Sequence, residues 1–176
     1  MDIKFTFSVP YQASLSKRGV DFPAHEIEVL SDFWKKDGKL IEEILKKITG
    51  LSFVEKSIKC YLNTESSISD PLSIKIEDID EMKDGLIHEL IHQLIVQNAF
   101  DSTDQWKMLN KEYAEEVPAT RVHLAVHRIH YLLAQKLYPH RLKKIMTFSE
   151  WPAYVRSWEI LEHPEKVDKL LKLSTK

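Results

Sequence analysis

Ile3, Phe5, Phe7 and Val9 alternate with Lys4, Thr6 and Ser8. That period of two predicts a strand, ended by Pro10. Residues 11–22 read as a loop. From residue 23 to 47 the period becomes helical, with Ile27, Leu30, Phe33 and Trp34 on one face. Asp37-Gly38 predicts a break there. The second helix carries Leu40, Ile41, Ile44, Leu45 and Ile48 and stops at Gly50, placed as a C′ glycine. Residues 53–63 predict another strand. Residues 72–78 alternate again, with Leu72, Ile74 and Ile76 facing one way. The stretch TESSISDP between them is turn material, so a hairpin is expected. Asp78 or Asp80 caps the next helix, over 81–99. Beyond it the pattern predicts a turn at 101–104, helices over 104–115 and 118–138, then two amphipathic helices over 149–162 and 164–173. Pro118 suits the first turn of its helix, and Pro139 ends it.

Together these elements predict an α+β fold: a small N-terminal antiparallel or mixed sheet packed on a mainly helical body with a central helix at 81–99. With 176 residues, 43% of them apolar, the chain suits a single domain, 1–176, with one core. The net charge of −2 gives no electrostatic reason to expect nucleic acid or an anionic membrane as partner. The basic run at 140–144 reads as a solvated helix end. Cys60 is the single cysteine, which excludes an internal disulfide and suits a reducing, cytoplasmic setting. The start MDIKFTFSVPYQ lacks the apolar run of a signal peptide, and no stretch is long enough to span a bilayer. Trp106, Trp151 and Trp158 read as core anchors.

Candidate chemistry lies in the central helix, in "DGLIHELIHQLIVQ". On a helix, residues four apart stand on one face, so His88 and His92 can address one ion. Glu89 projects beside that pair, able to handle a bound water without being forced to ligate. Leu86, Ile87, Leu90, Ile91, Leu94 and Ile95 make the helix apolar over most of its circumference, which predicts burial. Buried imidazoles and a carboxylate need partners, and a Zn2+ ion supplies them. Gly85, before His88, is expected to leave open space beside the site. A catalytic zinc takes three protein ligands and keeps one position open. The segment "EEVPATRVHLAVHRIHYLL" places His123, His127 and His130 in one stripe, spaced by four and three.

At His88-Glu89-Leu90-Ile91-His92 the sequence resembles the zincin metallopeptidases, closest in logic to small gluzincin-like enzymes. The resemblance covers the HExxH helix and, loosely, the segment before it. The longer metzincin form is absent: Ile95 stands where its glycine would be and Asn98 where its third histidine would be. The resemblance implies a zinc-dependent metallopeptidase acting on a peptide or protein substrate, with Glu89 assisting attack of a zinc-bound water. It implies that residues 72–78 form an edge strand that holds the substrate by strand addition. Of the glutamates that a gluzincin would offer as third ligand, Glu115 and Glu116 precede Pro118, which disfavours helix there. Neither is followed four residues on by an acid. By the same resemblance His123 is the third ligand and His127 the supporting residue, with His127 the alternative ligand. His127, His130, Tyr131 and Tyr113 are candidates to face the oxyanion, and Asp84, Glu112, Glu115 and Glu116 to orient the imidazoles. A different function for the same residues is a zincin-fold metal-binding regulatory or protein-interaction module without peptidase activity.

Overall fold

The computed structural model of the protein describes residues 1–8, 12, 24–147 and 150–175. Val9, Pro10, most of the expected loop at 11–22 and the expected helix start at 149 lie outside them. The elements in chain order are β1 (Asp2–Phe7), α1 (Ala24–Thr49), β2 (Ser57–Asn63), β3 (Ser73–Lys75), α2 (Ile79–Gln97), α3 (Asp104–Glu112), α4 (Pro118–Leu137), α5 (Leu142–Met146), α6 (Pro152–Ile160) and α7 (Glu165–Leu171). The fold is α+β, as the periodicities predict. The chain divides into two compact units, Met1–Ile41 with Phe53–Gln93, and Glu42–Ser52 with Leu94–Lys176.

The first unit holds the sheet. All three strands are parallel, in the order β1-β2-β3, which corrects the antiparallel or mixed sheet expected from the sequence. Alternation reports which face of a strand is buried and carries no information on direction. Inward positions Ile3, Phe7, Ile58, Cys60, Leu62 and Ile74 are buried accordingly. The hairpin expected between β2 and β3 also has a different form. The chain leaves β2, turns on Asn63, whose Oδ1 accepts from the Glu65 and Ser66 amides at 2.7 and 3.1 Å, and runs back. Ile68 then pairs antiparallel with Ser73. The backward run is this connector, so β3 enters parallel to β2 and lies between β2 and the connector.

Helix α1 is one continuous element across the expected break. Gly38 is helical, and a Cβ there would lie 2.7 Å from Trp34 Cε2. It seats the indole instead of breaking the helix. The indole Nε1 donates to the Met1 carbonyl at 3.2 Å. The helix ends as expected at Gly50, with φ of +74° and its amide on the Lys46 carbonyl at 2.8 Å, a conformation that glycine adopts without steric cost. Asp78 begins α2, its Oδ1 accepting from the Asp80 amide at 3.0 Å, so Asp78 is the cap. Met82, Asp84 to Ile91, Leu94 and Ile95 are all buried along α2, which suits its near-circumferential apolar surface.

The second unit is helical. Thr103 caps α3 through its Oγ1, which accepts from the Trp106 amide at 3.3 Å. Pro118 occupies the first turn of α4 after an extended Val117. The basic run at 140–144 lies in a 3-10 turn (Pro139–Arg141) and α5, with His140, Lys143 and Lys144 exposed, as a solvated helix end should be. Helix α4 packs along α6 and against α7. Arg128 and Asp168 form a two-pronged ion pair, Nε to Oδ1 and Nη2 to Oδ2 both at 2.6 Å. Trp158 is buried as expected, whereas Trp151 is 51% exposed. No helix among the described residues is long and apolar enough to cross a membrane.

Candidate metal centre

Helix α2 places His88 and His92 one turn apart, ring centroids 5.0 Å from each other. His88 and Glu89 are buried and His92 is half-buried. Burial alone pushes the Glu89 carboxyl up to about 7, because a charge in an apolar setting loses its hydration. The Cys60 thiol on β2 is pushed far up, first by its own burial and second by the Glu89 carboxylate. It is therefore protonated and inert as a nucleophile. Asp84, one turn before His88, is also buried. Above Gly85 there is less open space than expected: a Cβ there would meet Ser67 Oγ at 3.5 Å and Ile74 Cγ2 at 4.0 Å.

Helix α4 carries the other histidines, and His123, His127 and His130 are all buried. The His123 Nδ1–H donates to the Ala119 carbonyl at 2.7 Å. A carbonyl only accepts, so the neutral ring carries its lone pair on Nε2. Burial lowers the His123 pKa, the Ala119 bond opposing it. A neutral, tautomerically fixed imidazole is the form that ligates metal. His127 is fixed differently. Its Nδ1 lies 2.6 Å from Ser157 Oγ, and the Ser157 hydroxyl donates to the Tyr154 carbonyl at 2.8 Å. With its hydrogen committed there, Ser157 accepts from His127. The His127 ring stacks on Trp158 at 4.5 Å and 4°, and Tyr154 packs against both His123 and His127. Burial pushes His130 down to about 4, so it is neutral.

One ligand atom from each of His88, His92 and His123 lie within 4.8 Å of one another. Nitrogens about 2.1 Å from a tetrahedral zinc stand about 3.4 Å apart. Among the described residues His127 is outside that group. The donor set of three imidazoles, one already oriented by a backbone carbonyl, fits zinc and other borderline divalent ions alike. Tyr131 lies two turns beyond His123, about 12 Å along the helix. It instead lines a cavity of about 240 Å³ with Arg128, Met146, Trp158 and Leu161. Glu112 and Glu116 are engaged elsewhere, by Lys166 and by Arg156, and Glu115 is exposed. Sequence reasoning missed Ser157 and Tyr154, which hold His127. Their spacing of three on α6 is ordinary for any helix face, so nothing in the sequence singled them out. No family model, curated protein or solved structure matches the chain.

Proposed function

We propose that the protein is a zinc-dependent metallopeptidase, with His88, His92 and His123 as metal ligands and Glu89 as the general base. The observation that carries this reading is the convergence of those three imidazoles, with the buried Glu89 carboxyl next to His88 in the chain. A zinc ion held there supplies Lewis-acid polarisation of a carbonyl and lowers the pKa of water. Glu89 takes one proton from the attacking water as oxygen bonds to the scissile carbonyl carbon. It then delivers that proton to the departing amine as the C–N bond breaks, which balances the hydrolysis. The Ala119 carbonyl keeps His123 in the ligating tautomer. The Ser157 hydroxyl and the Trp158 ring hold His127 one turn further on. A purely structural metal site has no use for a general base at this position, which favours the enzyme over a metal-binding interaction module.

The test is hydrolysis of unfolded casein by zinc-loaded protein and by Glu89→Gln. Wild type is expected to release peptides, and Glu89→Gln to keep its zinc while losing at least a hundredfold in rate. Zinc retention with no hydrolysis by wild type would reject the peptidase and leave the metal-binding module.

A further inference from the structure

The helical unit encloses a space that its own side chains do not fill. Arg128 and Tyr131 on α4, Met146 on α5, Trp158 on α6, and Leu161 and Glu162 just beyond it surround a cavity of about 240 Å³. A cavity of about 150 Å³ admits benzene, so this one has room for a single ring and a small polar group. Two of its walls are aromatic. The Tyr131 and Trp158 ring centroids stand 6.5 Å apart at 59°. One face of Trp158 is taken by His127, stacked at 4.5 Å and 4°, so the indole meets the cavity with its other face or its edge. Rings in this arrangement suit a flat aromatic ligand.

The polar groups decide which ligand fits. Arg128 is 9% exposed. Its Nε and Nη2 each donate to Asp168. Nη1 makes no hydrogen bond among the described residues, and it is not sealed inside the protein. A guanidinium nitrogen of that kind carries two N–H donors, and here they are unused beside the cavity that Arg128 lines. Asp168 already balances the Arg128 charge. The donors therefore call for an acceptor without calling for an anion. Glu162 is exposed, so it stands at the rim, and it forms no ion pair among the described residues. Its carboxylate accepts and does not donate, and it repels a second carboxylate. An organic cation would answer Glu162 but leave the Arg128 donors without an acceptor. The ligand that answers both is neutral and carries a carbonyl and an N–H together.

We propose that this cavity is a small-molecule site for a neutral aromatic amide, with its ring against Trp158 and Tyr131, its carbonyl accepting from Arg128 and its N–H donating to Glu162. The site shares no residue with the metal centre and does not depend on it. Groups placed to pair with both ends of an amide reject analogues that lack either end, because a donor or acceptor is then left unpaired.

The probes are benzamide, benzoate and benzylammonium, which share a ring and differ in charge. Each is titrated into the full chain while the Trp158 indole N–H is followed by NMR. Benzamide is expected to shift that signal saturably, with Kd about 1 mM for a ligand so small, and to bind about tenfold more tightly than either charged probe. Glu162→Ala should weaken benzamide about tenfold and strengthen benzoate. Arg128→Met with Asp168→Leu removes the donors without stranding a charge, and should weaken benzamide about tenfold as well. No saturable shift with benzamide would overturn the proposal. So would tighter binding of either charged probe, or benzamide affinity unchanged by Glu162→Ala, which would make the cavity a plain apolar pocket. Glu162 is exposed, so that single variant carries the test if the double variant does not fold.

Discussion

Asp168→Ala tests the energetics of the helical unit. Asp168 on α7 grips Arg128 on α4 through two bonds of 2.6 Å, with side chains 16% and 10% exposed. Removing the carboxylate leaves a guanidinium largely withdrawn from water. Breaking one partner of a buried pair costs about 3–5 kcal/mol, mostly from the stranded charge. The Tyr131 ring, 5.5 Å from the guanidinium carbon, remains and softens the loss by about 1 kcal/mol. Partial exposure softens it further, so about 3 kcal/mol is expected. Urea denaturation should show that loss as a lower midpoint at similar slope, and Tm should fall by about 6–12 °C. Arg128→Met with Asp168→Leu should recover most of it, because no charge is then buried. A loss under about 1 kcal/mol would mean that the pair behaves like a surface ion pair, and the reasoning from burial would fail.

Gly38→Ala should destabilise, although alanine is the better helix former by about 1 kcal/mol. Its Cβ would sit 2.7–2.8 Å from two Trp34 ring atoms, and displacing a buried indole costs about 1–3 kcal/mol; a stabilised variant in thermal melting would show that the indole moves freely. Gly50→Ala should cost about 1 kcal/mol by the same assay, since φ there is +74°. His130 gives an acid-sensitive term. Its folded pKa is lowered to about 4, so the unfolded chain binds more protons between about 6.5 and 4. Its contribution is full above 6.5 and is lost as pH falls through that window, by up to about 3 kcal/mol. His130→Leu should flatten the slope of stability against pH there, and an unchanged slope would refute the assignment. Glu89 in metal-free protein has the opposite sign: with its folded pKa raised to about 7, its contribution is full below about 4.5 and lost as pH rises through 7.

Local chemistry was legible in the sequence where one residue type has one use. Gly50 ends α1 because a positive φ excludes other residues at low cost, and the spacing of His88 and His92 fixes a shared helix face. Asp78 was legible only as one of two candidates, since capping depends on a turn of backbone. Strand direction was not legible. Nine residues separate β2 from β3, and their polar composition suits a hairpin as well as the doubled-back connector that forms. Gly38 looked like a breaker because its partner, Trp34, lies four residues away on the helix surface, and propensity takes no account of packing. Trp151 looked like a core anchor because large aromatics usually are, yet it begins α6 half in solvent. For the site, residue spacing placed His123 and His127 on one stripe but could not rank them. The tautomer of each is set by a carbonyl or a hydroxyl, Ala119 and Ser157, whose position only the fold supplies.

The central claim is that His88, His92 and His123 hold one ion. Elemental analysis of purified protein after zinc loading and dialysis tests it most directly, with wild type compared to Glu89→Gln, His127→Ala and His123→Ala. The account predicts one zinc per chain in wild type, Glu89→Gln and His127→Ala, and loss of zinc from His123→Ala that remains folded. Zinc retained by His123→Ala, or absent from wild type, would contradict it.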